Sequence, residues 1–236
     1  MNRYRPRDWD SNPPYRYDDY RSTVTRAPAR PPIAVPHTLS ETTGPGFYQA
    51  EVTPEDADLT TNAGTGGEAM GQRIIVTGRV LDEWGNPVPG VLVEVWQANA
   101  AGRYHHDRDR HPAPLDPNFV GRGACVTSED GSYRFTTIMP GAYPWKNHPN
   151  AWRPAHIHFS LQGPAWTTRL VTQMYFPGDP LLPLDPIFNS VPAHARDRLI
   201  ATYDHDVTVE EWALGYRWDI VLRGPEATPF EEEDEQ

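Results

Sequence analysis

Two histidines separated by one residue, His156 and His158, are the sharpest chemical feature of the chain. They sit in RPAHIHF, which reads as a β-strand. Alternate side chains of a strand share a face, so both imidazoles point one way while Ile157 and Phe159 point the other. Two imidazoles on one face can share a metal, and imidazole suits zinc, copper, iron and nickel. The same pair also fits two solvent-facing histidines on a polar strand face. Cys125 is the sole cysteine, so a Cys-based metal site is excluded, and so is an internal disulfide. Any further ligand must be Asp, Glu, Tyr or another His. Tyr104, in a polar loop after a strand, and Tyr143, in a turn between Gly141 and Pro144, are candidates. Each by itself reads most often as an ordinary, partly buried tyrosine.

The elements that would position these residues are mostly strands. From Arg73, RIIVTGRVLDEWGNPVPGVLVEVWQ reads strand, turn, strand, with β-branched runs on either side of a Gly-Asn-Pro break. VTSEDGSYRFTTIMPG repeats the theme, with Asp130-Gly131 as the turn. RPAHIHFSLQ, TTRLVTQMYF and YRWDIVLRG are three more strand candidates. The spacing predicts a mainly β fold, an antiparallel sandwich of the transthyretin-like kind, with long loops. One helix is expected over residues 192–203, where Ala195, Leu199 and Tyr203 fall near one face. Residues 1–70 read as an extended Pro-rich arm. Its Tyr4, Tyr15, Tyr17, Tyr20 and Phe47 predict that it lies on the core or on a partner. Residues 71–230 form the sandwich domain, and 231–236 a solvated acidic tail.

Composition narrows the function. The 236-residue chain carries a formal net charge of -11, which argues against a nucleic-acid partner. No apolar run approaches the roughly 20 residues of a membrane span. The N-terminus lacks an apolar signal core, so a cytoplasmic protein is expected. The sandwich pattern supports a fold and no chemistry, since many such modules only bind or stiffen.

Three segments taken in order point to one family. WQANAAGRY (96–104), PGAYPW (140–145) and WRPAHIHF (152–159) resemble the iron-binding signature of the intradiol ring-cleavage dioxygenases. SETTGPGF, LDPNF, RIIVTGRV, TQMYFPGDP and YRWDIVLRG agree as well, so the resemblance runs from about Tyr20 to about Phe230. It is strongest toward the β chains of the protocatechuate-cleaving branch. Catechol and hydroxyquinol cleavers of the family carry a helical N-terminal segment, and the Pro-rich arm shows no helical period.

The resemblance implies one non-haem Fe(III) ion held by Tyr104, Tyr143, His156 and His158. It implies O2-dependent cleavage of protocatechuate between its hydroxyl-bearing carbons to 3-carboxy-cis,cis-muconate, a step of the β-ketoadipate pathway. It also implies a homologous α chain, paired with this chain in a larger oligomer. A phenol has a pKa near 10, so ionising one at neutral pH costs about 4 kcal/mol. A bound trivalent cation can supply that, and hard phenolate oxygens favour ferric iron. Zinc usually takes Cys, His or carboxylate. Charge balance lets a catechol dianion displace a hydroxide and one tyrosinate, which take up the two catechol protons; the resemblance implies that Tyr143 leaves, taking one of them, and Tyr104 stays.

Further roles follow from the same resemblance. Arg153 would stabilise charge that builds up on the ring, although by itself it fits a sheet salt bridge. Gln173 would line the site near the ligands. Trp96, Trp145 and Ile187 would wall the aromatic ring, and Tyr20 would reach the substrate carboxylate. Two rivals stand beside this reading: a silent sandwich that binds a partner, and a His-x-His enzyme using zinc, copper or ferrous iron with a carboxylate ligand.

Overall fold

The computed structural model describes residues 8–33, 52–163 and 169–231. Tyr4, Phe47 and the SETTGPGF segment lie outside the described residues, as do residues 232–236 of the acidic tail.

Strand β1 (Arg73–Leu81) is the spine of one sheet. It pairs antiparallel with β4 (Ser132–Ile138) on one side. On its other side run β10 (Leu214–Arg217) and then β11 (Ile220–Val221), both parallel to it. The short β9 (Thr202–Tyr203) closes that sheet against β10. The second sheet has the order β3-β2-β7-β8 and is antiparallel throughout, with β2 Leu92–Trp96, β3 Arg122–Val126, β7 His156–Gln162 and β8 Leu170–Tyr175. A two-stranded ribbon, β5 (Tyr143–Trp145) and β6 (Ala151–Arg153), stands beside it.

The expected sandwich is present, and β1, β2, β4, β7, β8, β10 and β11 overlap the segments read as strands from the sequence. The first sheet is mixed rather than purely antiparallel, because the YRWDIVLRG segment returns alongside β1 from more than 130 residues away. Alternation decides which side chains fill the gap between the sheets. Ile74 and Val76 of β1 and Phe135 of β4 meet Val93 and Val95 of β2, with Phe159 of β7 between them, all buried. Phe159 sits edge-on to Phe135, ring centroids 5.8 Å apart. A fully buried aromatic side chain of this kind contributes about 2–3 kcal/mol.

The arm is not shapeless. Residues 21–26 form one helical turn and a half, α1 (Arg21–Arg26), which follows the buried Tyr20. Leu59 enters the main core, and Leu59 N–H donates to the Thr136 carbonyl at 2.9 Å.

The helix expected over residues 192–203 is not there. Residues Ala193–Leu199 form a 3₁₀ segment that buries Ala195 and Leu199. The Ala201 N–H then bonds the Tyr175 carbonyl at 2.9 Å, which draws the chain into extended form, and Tyr203 ends exposed on β9. The helix in this region is α2 (Pro186–Ser190), started by Asp185, whose carboxylate accepts from Phe188 N–H, and by Pro186 in its first turn.

Candidate metal centre

β7 presents its two histidines on the face away from the core, as period-2 alternation requires. Ile157 and Phe159 are fully buried behind them. His156 Nε2 and His158 Nε2 approach to 3.2 Å. Each ring is held by its other nitrogen. His156 Nδ1 donates to the Pro154 carbonyl at 2.7 Å. His158 Nδ1 lies 3.2 Å from the Glu231 carboxylate. Carbonyls and carboxylates only accept here, so Nδ1 carries the proton in both rings and the neutral imidazole offers an Nε2 lone pair. Burial, with Arg153 and His158 adding to it, holds His156 well below the usual imidazole range, so its ring is neutral. Trp96 stacks flat on His158, with centroids 4.8 Å apart and planes 4° from parallel.

The two tyrosines arrive on two loops locked to each other. Asn99 organises the first: its side-chain oxygen accepts from Ala101 and Arg103 N–H, and its carbonyl accepts from Gly102 and Gly141 N–H. Gly102 has φ +77, and a side chain there would strike the Ala142 carbonyl. At Gly141 a Cβ would lie 2.5 Å from the Ala100 carbonyl oxygen and the Gly102 nitrogen. Both glycines therefore permit backbone contact between the Tyr104 loop and the Tyr143 segment. Tyr143 itself is not in a turn. It opens β5, paired in register with Arg153 of β6, and Pro144 is tolerated because this ribbon has only two strands.

Tyr104 and Tyr143 rings meet edge to face, centroids 5.4 Å apart. The Tyr143 hydroxyl lies 3.4 Å from His156 Nε2. The Tyr104 hydroxyl is sealed from solvent and makes no hydrogen bond of ordinary geometry. Burial pushes it well above the usual phenol range, and the nearby Tyr143 adds to this. Burial raises Tyr143 too, against the opposing pull of Arg153. Both phenols are thus neutral by themselves, and a strong local cation is what would ionise them.

That donor set fits a bound metal ion. Two Nε2 atoms facing at 3.2 Å can be bridged by one metal ion. The unpartnered phenol of Tyr104 and the phenol of Tyr143 supply hard oxygens at the same place. The carboxylate in reach, Glu231, bonds the outer nitrogen of His158. Among the described residues no group of three His, Cys, Asp or Glu side chains is arranged to hold a metal. A two-histidine, one-carboxylate site is therefore not what the geometry builds.

Arg153 is both an ion-pair partner and a neighbour of the donor set. Its guanidinium is buried and bridges the buried Asp185 (Nε–Oδ1 2.9 Å, Nη2–Oδ2 3.3 Å). Nη2 also donates to Gln173 Oε1 at 2.5 Å, and Tyr175 donates to the same oxygen at 2.8 Å. Nη1 makes no hydrogen bond to the described residues, so two N–H donors remain. The guanidinium lies 5.3 Å from the centroid of the Trp145 ring. Trp145 in turn packs on Tyr20 at 5.4 Å. Tyr20, Gln173 and Ile187 line a single pocket with Tyr175 and Glu231.

Every residue expected to act is therefore in this region, and Trp96 covers the face of His158. Three residues were missed. Asp185 was legible only as a helix start, from Asp-Pro. Tyr175 shares a strand face with Gln173 by period 2. Glu231 carried no signal, because it opens a like-charge run.

Known proteins resemble this chain over most of its length. A family model described as Dioxygenase matches residues 42–224, and one described as Protocatechuate 3,4-dioxygenase beta subunit N terminal matches residues 5–38. The chain is 61% identical to a protocatechuate 3,4-dioxygenase beta chain of Burkholderia cepacia, over 96% of each chain. It is 35% identical to a hydroxyquinol 1,2-dioxygenase of Rhizobium sp. (strain MTP-10005), over 78% of this chain and 64% of that one. Among solved structures, 3-chlorocatechol 1,2-dioxygenase from Rhodococcus opacus 1CP superposes with a TM-score of 0.56 at 26% identity, covering 78% of this chain and 72% of that one. No helix among the described residues is long and apolar enough to cross a membrane. The chain belongs to the intradiol ring-cleavage dioxygenase family, whose members depend on non-haem iron.

Proposed function

We propose that this chain is the iron-bearing subunit of an enzyme that cleaves protocatechuate with O2 to 3-carboxy-cis,cis-muconate, a step of the β-ketoadipate pathway. The observation that carries the reading is the convergence of the two imidazole Nε2 atoms, 3.2 Å apart, with the Tyr143 hydroxyl 3.4 Å from one of them and the unpartnered Tyr104 hydroxyl beside it. Tyr104, Tyr143, His156 and His158 would hold one Fe(III). Ferric iron, when bound, supplies a Lewis acid that ionises phenols and makes a catechol ring reactive toward O2.

The chain's own residues do the rest. Tyr143, at the start of the short two-stranded ribbon, accepts a catechol proton. Tyr104, tied down through the Asn99 loop, stays as the permanent anion. Arg153 offers its two free Nη1 donors to charge developing on the ring, held in place by Asp185 and Gln173. Trp145 and Ile187 exclude water from the ring. Tyr20 reaches toward the substrate's carboxylate end.

A homologous α chain completes the pocket in this reading. Supporting it, the arm leaves Trp9, Tyr15, Val24 and Ile33 exposed within one short stretch. Apolar side chains so grouped mark a contact surface.

Product identity and kcat/KM for protocatechuate against plain catechol test the proposal. A carboxylate-bearing substrate should be strongly preferred, since a site built around a charged group is penalised when that group is absent. A semialdehyde product, or equal kcat/KM for the two substrates, overturns it.

A further inference from the structure

Glu231, the one described residue of the run read as an acidic tail, and the three residues before it are held against the sandwich. They are stitched down residue by residue. The Thr228 N–H donates to the Val221 carbonyl at 2.8 Å. The Pro229 carbonyl accepts from Thr172 Oγ1 at 2.7 Å. The Phe230 N–H donates to the side chain of Asn12, in the arm, at 3.0 Å, and the Phe230 ring meets Trp9 edge-on at 5.8 Å. The Glu231 N–H donates to the Val171 carbonyl of β8 at 2.7 Å. This last bond fixes the Glu231 Cα against the strand beside β7.

The side chain then turns inward to His158 Nδ1 at 3.2 Å, with only 12% and 15% of the two side chains exposed. An exposed His–Glu pair would be worth little. A shielded one beside a metal ligand is different. A carboxylate on the outer nitrogen fixes the tautomer, strengthens the inner nitrogen as a donor and stops the ring rotating. Trp96 already fixes the plane of the same ring by stacking. His156 has a neutral carbonyl in the equivalent place, so the two histidines are supported unequally.

We propose that Glu231 is a positioning residue that aims and strengthens His158 as a metal ligand, and that residues 228–231 form a strap tying the N-terminal arm to the metal centre. The proposal rests on the metal reading given above. It makes iron retention depend on a residue outside the three signature segments. It also makes His158 the imidazole whose bond to iron is tuned by a full negative charge.

The test uses the full chain, co-expressed with its proposed α partner, as wild type, Glu231→Gln and Glu231→Ala. Glu231→Gln keeps size and hydrogen bonding and removes only the charge. Iron release to a competing chelator is followed, together with the visible tyrosinate band and the thermal midpoint of the metal-free protein. Glu231→Ala should release iron about 10–100-fold faster. Glu231→Gln should fall between it and wild type, with a shifted band and an unchanged metal-free midpoint. If wild type holds iron while both variants release it at the wild-type rate with the same band, the strap is structural only and the proposal fails alone. A wild type that takes up no iron overturns the metal reading and this inference with it.

Discussion

Arg153→Met removes a buried cation and leaves Asp185 with no counter-charge. Asp185 is fully buried and its ion pair with Arg153 is sealed, with 3% and 0% of the two side chains exposed. What remains around the carboxylate is the Tyr175 hydroxyl at 3.2 Å and the Phe188 N–H at 3.3 Å, too little to replace a guanidinium. Breaking one side of a buried pair costs about 3–5 kcal/mol, because the surviving charge stays desolvated. In a chain of this size each 1 kcal/mol moves Tm by about 2–4 °C, so the variant should melt about 6–20 °C lower. The same carboxylate caps α2, which carries Ile187, so part of the loss should appear as loosening of that wall. The assay is calorimetry of the metal-free protein, run beside Arg153→Met/Asp185→Asn. The double variant removes the orphaned charge, keeps a capping side chain and should recover most of the lost stability. A single variant that melts within 2 °C of wild type, or a double variant no better than the single, would refute the reasoning.

The other predictions concern single groups. Tyr143→Phe should keep its iron and still bind protocatechuate, while turnover falls by about 100-fold or more through loss of the proton acceptor. Tyr104→Phe should lose iron or hold it weakly; reversed outcomes in iron content and single-turnover rate would exchange the two roles. Gly102→Ala should displace both tyrosine segments, because the new methyl meets the Ala142 carbonyl, and should be read as a change in the tyrosinate band. Burial pushes the Cys125 thiol up from 9.0 to about 11. Its labelling at pH 8 should therefore be about 100-fold slower than in unfolded protein. Above pH 9 the unfolded thiol gives up its proton first, so this group costs stability between about pH 9 and 11.

The sandwich was legible because its strands alternate. LVEVW buries every second side chain, while RIIVTGRV and HIHFSLQ send alternate residues, Ile74 and Val76, Ile157 and Phe159, into the core and bury part of the other face as well. The histidine pair was legible for the same reason, since a period of 2 puts both rings on one face. Tyr104 and Tyr143 were not legible from periodicity. They come together through backbone contacts at Gly102 and Gly141 between loops some 40 residues apart, and the family pattern alone flagged them. The parallel pairing of β10 and β11 with β1 is a long-range event with no local signature. Ala195 and Leu199 do share a face, but a backbone bond from Ala201 to Tyr175 ends the helical path before Tyr203. Glu231 failed for an electrostatic reason. A run of like charges predicts solvation, yet this member of the run is mostly buried beside His158, Arg153 and Gln173, and against the cost of burial the contacts they make hold its carboxyl below the ordinary range.

The central claim is that two phenols and two imidazoles of this chain hold ferric iron. The most direct measurement is metal analysis with a visible spectrum of the purified protein, before and after protocatechuate is added without oxygen. The account predicts about one iron per chain and a coloured tyrosinate band that changes on adding substrate but persists, because Tyr104 remains ionised. A colourless, zinc-loaded preparation that still cleaves protocatechuate would contradict it.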